Sequence, residues 1–292
     1  MRRLLIVGCG DVGLRVMPYL SGRYRVYALT HSRERLPLLR VNGIVPITGN
    51  LDNANSLATL AGIAHDVLHF APPPNHGTRD TRTSHLIAAL TKHKSLPQQL
   101  VYISTSGVYG DCDGALVEET RSVRPQTARA QRRVDAERQL RAWGCRNQVR
   151  VCVLRAPGIY SSQRLPLARL TSGTPALCPE EDTYTNHVHA TDLARIAVAA
   201  LRFGRAGRVY NAGDDSQIKM GDYFDLVADE YGLPRPRRIS RAEAGVCVAS
   251  NLLSFMNESR RLSNSRIKQE LRLKLLFPTV QAGIAHARRG AN

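Results

Sequence analysis

The chain has no long apolar run, and no stretch approaches the ~20 residues that a bilayer-spanning helix needs, so no membrane role is expected. Residues 4–7 behind Arg2 and Arg3 superficially resemble a secretion signal. The run is far shorter than the ~7 to 15 apolar residues of a secretory segment, so a cytoplasmic protein is expected. Cysteine is sparse, with six residues at 9, 112, 145, 152, 178 and 247 and no CxxC pair. A disulfide framework is excluded at that density, and reduced thiols are the default. Lysine is nearly missing, found only at 92, 94, 219, 268 and 274, so the formal net charge of +17 is carried by arginine. That excess is scattered, and an arginine-biased genome would produce it too. It supports solubility and anionic ligands rather than a particular site. There is no basic groove interleaved with aromatics and no helix-turn-helix pattern, which argues against specific nucleic-acid recognition. No histidine or cysteine set has metal-ligand spacing, so no metal is expected.

What is present begins at residues 4–13, LLIVGCGDVG. The run Leu4, Leu5, Ile6, Val7 shows no polar alternation, as in a parallel strand buried on both faces. Gly8, Gly10 and Gly13 follow at GxGxxG spacing. Such glycines allow a tight turn, a close backbone approach to a pyrophosphate and close helix-on-strand packing, with Asp11 and Val12 opening the helix. Glycine-rich turns are common, but this one stands after a strand and before an amphipathic run, which points to dinucleotide binding.

A second strand, residues 24–30, ends at Thr30, His31, Ser32, Arg33. An acid at this tip would bind a ribose 2′-hydroxyl, whereas a 2′-phosphate needs that acid absent and a cation near. The tip has no acid, and Arg33 offers a guanidinium fork, so NADP is expected, with NAD the second choice. The alternative is that Arg33 and Arg35 simply start the next helix in solvent. A third strand leads to Asn50 and Leu51, placed to read an adenine edge. A fourth, residues 66–71, ends at Ala71, Pro72 and Pro73, where prolines stop regular pairing. His69 and His85 are read as structural. A fifth strand runs from residue 99 into Ser104, Thr105, Ser106, Gly107, Val108, Tyr109, Gly110.

With these motifs the chain resembles the extended short-chain dehydrogenase/reductase superfamily of epimerases and dehydratases. The resemblance rests on the glycine motif, on residues 49–52, on residues 104–110, on Leu154-Arg155-Ala156-Pro157-Gly158-Ile159-Tyr160, and on residues 186–194. It implies an α/β fold, a Rossmann-like doubly wound parallel sheet with a smaller C-terminal substrate-side lobe. The core would be 1–160 and 186–213, and the interleaved lobe 161–185 and 214–292. It further implies a nicotinamide cofactor with Pro157 beside the nicotinamide, and a sugar-nucleotide or small carbonyl/hydroxyl substrate. A homodimer is left open.

The family's Tyr-x-x-x-Lys, in which the phenol exchanges a proton and the lysine lowers its pKa from ~10, occurs nowhere in this sequence. The family register puts Arg129 and Arg133 in its place, with the hydroxyl role on Thr105. A guanidinium has a pKa above ~12 and cannot cycle protons at neutral pH. Arg129 is therefore read as polarising a carbonyl or binding a carboxylate, and Arg133 as holding ribose or phosphate. Tyr109 and Tyr160 are candidate substitute proton donors. The departure matches the atypical branch of the superfamily. Two functions follow: an NADP-dependent oxidoreductase or epimerase-like enzyme, or a catalytically silent NADP-binding sensor. The bland alternative for the arginines is a solvated charge run on a helix.

Overall fold

Strict alternation inside a buried strand decides the architecture. In β1 (Arg2–Val7), Leu4 and Ile6 face one hydrophobic layer while Leu5 and Val7 face another, and all four are fully buried. Such a strand has to be covered by helices on both sides. The computed structural model describes residues 1–20, 22–92, 95–248, 253 and 256–289. After β1 come α1 (Asp11–Arg15), α2 (Met17–Leu20), β2 (Tyr24–Thr30), α3 (Leu36–Val41), β3 (Val45–Thr48), β4 (Asp66–His69), α4 (Thr81–Thr91) and β5 (Gln99–Thr105). The chain continues through β6 (Leu116–Val117), α5 (Ala128–Asn147), β7 (Arg150–Ala156), β8 (Gly158–Tyr160), α6 (Leu167–Thr171), β9 (Ala176–Leu177), β10 (Tyr184–Thr185), β11 (His187–His189), α7 (Ala190–Phe203), β12 (Val209–Asn211) and α8 (Met220–Tyr231).

Seven of these strands form one parallel sheet in the order β12-β7-β5-β4-β1-β2-β3. The expected doubly wound sheet is therefore the observed one. Its order reverses between β1 and β4, and a ligand crevice opens at the carboxyl ends of strands at such a reversal. The loops after β1 and β4 touch there: Gly8 has φ +88°, and a Cβ on it would run into the Ala71 backbone.

The C-terminal part packs on Tyr160, Tyr223, Phe224, Val227, Val280 and Ile284. Here the structure differs from expectation in three places. Residues 277–279 are not a lid or sheet edge but precede a helix, Val280–Arg289, which sequence reading missed. The helix expected over 242–256 is observed as Arg241–Cys247, and part of the remainder lies outside the described residues. The N-terminus of α7 is capped by His189, which accepts from the Thr191 N–H at 3.3 Å. Asp192, expected as a cap, instead accepts from the Leu276 and Phe277 N–H groups at 2.9 and 2.8 Å. Among the described residues no helix is long and apolar enough to cross a membrane.

Candidate functional site

Two cavities open on the carboxyl edge of the sheet, and Pro72 lines both. The first, of about 270 Å³, is walled by Gly8, Thr30, His31, Asn50, Leu51, Asp52, Ala71, Pro72 and Arg82. Most of the predicted adenosine-side residues meet here. Thr30 Oγ1 accepts from the Ser32 N–H at 3.2 Å and fixes the turn after β2. Ser32 and Arg33 stand outside the lining, and Arg33 is exposed. Arg35, read as a solvated neighbour, reaches back to the glycine loop and donates to the Cys9 carbonyl at 2.6 Å. Gly10 has no atom within 4 Å of where a Cβ would stand, so its open face admits a ligand; Val12 and Gly13 pack behind the loop. Arg82, which carried no sequence signal, forks onto Asp52 at 2.7 Å through both its Nε and Nη2. The residues present fit a dinucleotide, with its adenosine end in this cavity.

The second cavity, of about 390 Å³, lies between β5, α5 and the C-terminal part. Thr105, Arg129, Arg133, Pro73 and Pro157 line it, as do Ser106, Arg132, Tyr184, Asn186, Glu258 and Arg260. The helix carrying the arginines starts where Thr127 caps it, accepting from the Ala130 N–H at 3.2 Å. Arg129 and Arg133 share its cavity face, as i, i+4 spacing requires. Arg133 donates to the Tyr102 hydroxyl at 3.0 Å and the Ile103 carbonyl at 2.7 Å. Desolvation holds Arg129 below its ordinary value; Glu258 opposes the shift, while Arg133, Arg132 and Arg260 add to it. The helix is not the solvated charge run of the bland reading. Arg132 is buried and donates to the Gly77 carbonyl at 2.6 Å, and Glu137 is buried against Arg155.

Tyr109 is a correction. It is buried outside the cavity lining, its hydroxyl donates to Asn211 at 2.8 Å, and its ring lies under Arg155. It packs the core because the short 3-10 turn Ser106–Tyr109 rotates it inward. Tyr160 is likewise buried, against His187 and His189, and burial raises its phenol. His187, which sequence reading allowed to face the cleft, stacks on Tyr223 at 4.1 Å, and burial drops its ring to about 3. His69 is structural as expected, bonded to Thr83 at 3.0 Å and dropped to about 3 by burial and then by Arg133.

Asp214 lies in the same buried zone and was not foreseen. One of its carboxyl oxygens accepts from the Ser216 N–H at 2.9 Å, and the other has no partner. Burial pushes this carboxyl up to about 7. The folded protein therefore retains a proton that the unfolded chain releases near ~4. The stability from this group is full below about 4 and is lost as pH rises through about 7. Removing the titration with Asp214→Asn is expected to flatten that slope, so the variant gains melting temperature relative to the parent between pH 5 and 8. Scanning calorimetry across this range checks it; a difference that stays constant with pH would refute the assignment. His187 and His189, the latter dropped to about 4, act with the opposite sign, stabilising above about 6.5, and cancel in the comparison.

Sequence reasoning missed Arg82, Tyr184, Asn186, Glu258 and the inward role of Arg132 and Arg260. The terminal segment had been expected to cover the cleft, and Glu258 and Arg260 do line it, but nothing local in the sequence distinguishes them from surface charges.

A doubly wound sheet whose switch point holds an open glycine loop and two joined cavities defines a nucleotide-binding α/β fold of the dehydrogenase type. Residues 4–213 match the model of the NAD dependent epimerase/dehydratase family, and the chain belongs to that family. The sequence matches no curated protein. Among solved structures it is similar to a functionally unknown conserved protein from Silicibacter pomeroyi DSS, 25% identical over 99% of each chain with a TM-score of 0.84. It is also similar in fold to UDP-glucuronic acid 4-epimerase from Bacillus cereus in complex with NAD, at 17% identity, 97% and 96% coverage and a TM-score of 0.77. A dTDP-glucose 4,6-dehydratase from Streptomyces venezuelae with bound NAD aligns at 21% identity, 98% and 96% coverage and a TM-score of 0.78.

Proposed function

We propose that this protein is an NADP-dependent oxidoreductase with epimerase-like chemistry, acting on a hydroxyl or carbonyl carbon of a small substrate. The observation that carries the reading is the pair of cavities joined at Pro72, one at the β2 tip beside the open Gly10 and one walled by Thr105, Pro157 and the arginines of α5. A dinucleotide is long enough to need both. When bound, it supplies hydride chemistry at its nicotinamide carbon, which no side chain here provides.

The protein's own residues position and polarise. Thr105, whose hydroxyl accepts from the Gly107 N–H at 3.3 Å, orients a substrate oxygen. Arg129 stabilises negative charge that develops on that oxygen. Arg133, anchored on Tyr102 and Ile103, holds the face toward the ribose. Tyr184 is the phenol among the described cavity-lining residues and takes the proton-exchange role that Tyr109 and Tyr160 cannot reach. Sugar nucleotides, the substrates named for two structural relatives, are one candidate class.

The absence of an acid at the β2 tip, with Arg33 just beyond, supports NADP over NAD. Calorimetric titration at fixed salt tests this, because a chain this basic attracts any phosphate. The parent is expected to bind NADP more tightly than NAD. Arg33→Glu is expected to weaken NADP about 10- to 100-fold, the worth of a charged hydrogen-bond pair, and NAD far less. Equal losses would overturn the 2′-phosphate assignment, and no binding of either dinucleotide would overturn the enzyme reading. A second reading, an NADP-binding sensor without turnover, is favoured by the guanidinium at the tyrosine position. It is distinguished by silence across a panel of carbonyl and hydroxyl substrates despite tight NADP binding.

A further inference from the structure

We propose that the substrate carries an oxyanion, a carboxylate or phosphate, beside the reacting carbon, and that this group seats on Arg129 and Arg260 in competition with Glu258. The inference deepens the function proposed above and rests on it.

Four guanidiniums, Arg129, Arg132, Arg133 and Arg260, line the second cavity, and a single carboxylate, Glu258, stands among its described lining residues. Burying cations in this way is costly unless each is partnered. The partners found are mostly dipoles: the Gly77, Ile103 and Gly110 carbonyls accept from Arg132, Arg133 and Arg260 at 2.6, 2.7 and 2.7 Å. Arg132 and Arg260 are only 8% and 9% exposed, and the Nε of each has no hydrogen-bond partner. The nicotinamide end of a dinucleotide cannot balance this charge, since the ring is neutral when reduced and positive when oxidised. The balancing anion therefore comes with the substrate.

Glu258 already occupies the seat of that anion. Its Oε2 accepts from Arg260 at 2.8 Å, and among the charges around Arg129 it is the one that favours the guanidinium. It arrives from the C-terminal part, whereas the arginines at 129, 132 and 133 come from α5. A planar oxyanion matches the guanidinium fork better than a neutral hydroxyl does. Because Arg129 and Thr105 line one cavity, an anion on Arg129 brings its neighbouring carbon beside the hydroxyl that orients the reacting oxygen.

The test titrates oxalate, and separately inorganic phosphate, into the full-length protein with and without saturating NADP, at fixed salt. At least one oxyanion is expected to bind. Arg129→Met is expected to weaken that binding about 10- to 100-fold, as loss of a charged hydrogen bond does, while Arg129→Lys retains part of it. Glu258→Gln is expected to tighten it by removing the competing carboxylate. Arg202→Met, which deletes the same charge on α7 away from the cavity, serves as the control for general attraction to a basic chain and is expected to change nothing. Stronger binding of oxalate assigns a carboxylate substrate, and stronger binding of phosphate a phosphorylated one; both support the seat. If neither oxyanion binds, or if Arg202→Met weakens binding as much as Arg129→Met, the seat is overturned. NADP affinity measured on the same samples reports separately: a chain that binds oxyanion without NADP loses the dinucleotide reading alone.

Discussion

Replacing Arg155 by methionine is expected to destabilise the protein by about 3–5 kcal/mol, the usual cost of leaving one member of a buried ion pair without its partner. Arg155 and Glu137 join α5 to β7 with side chains only 5% and 4% exposed, through contacts of 2.7 Å to Oε2 and 3.1 Å to Oε1. Ser104 adds a hydrogen bond to the same carboxylate at 2.6 Å, and the Tyr109 ring lies 4.7 Å from the guanidinium carbon. Methionine fills much of the arginine volume, so the loss would come from a carboxylate stranded with one hydroxyl rather than from a void. The double variant Arg155→Met with Glu137→Leu is expected to regain most of the loss, since an apolar pair of similar size often replaces a buried ion pair at little cost. Urea denaturation of the parent and both variants checks this. A single variant within about 1 kcal/mol of the parent, the range of an exposed pair, would show that the pair contributes little. The consequence for function is indirect: α5 carries Arg129 and Arg133, and this pair sets the helix against the sheet that holds Thr105.

Gly10→Val is expected to leave the melting temperature almost unchanged and to cut NADP affinity about 100-fold, or roughly 2.7 kcal/mol. The backbone of Gly10 has φ −85°, which any residue adopts, and its Cβ position faces open space. A branched side chain there costs the fold little, yet it fills the space through which the loop would meet a pyrophosphate. Gly8 is the internal contrast. With φ +88° and its Cβ position inside the Ala71 backbone, it is needed for folding itself. Differential scanning calorimetry and a dinucleotide titration on Gly10→Val separate the two effects. Unchanged NADP affinity would remove the glycine loop from the binding site.

Much of this was legible before folding because the signals are local. The glycine spacing, the apolar run of β1 and the bare tip of β2 are each written within a few residues. The sheet order follows from elements of that kind, and five motifs in one order gave the family resemblance. The pairing of Arg129 with Arg133 also needed only the helical period. The helix register fixed which face they share, although periodicity could not say whether that face was wet.

The second cavity is another matter. Glu258, Arg260 and Tyr184 reach it from parts of the chain far from Thr105 and α5, and no local pattern marks an arginine or a glutamate as inward-facing. Tyr109 sits one motif away from Thr105 yet turns into the core, because Asn211 and Arg155 offer it partners there. Arg33 and Arg35 differ by two positions, and the one that meets the glycine loop is the one whose reach matches the Cys9 carbonyl. The sequence by itself determined the parallel sheet, the dinucleotide loop and the loss of the tyrosine-lysine pair, since backbone freedom, periodicity and residue chemistry act over short separations. Only the tertiary structure decided which charges are buried together, because burial depends on what packs across from a residue, and in this chain that neighbour comes from up to 150 positions away.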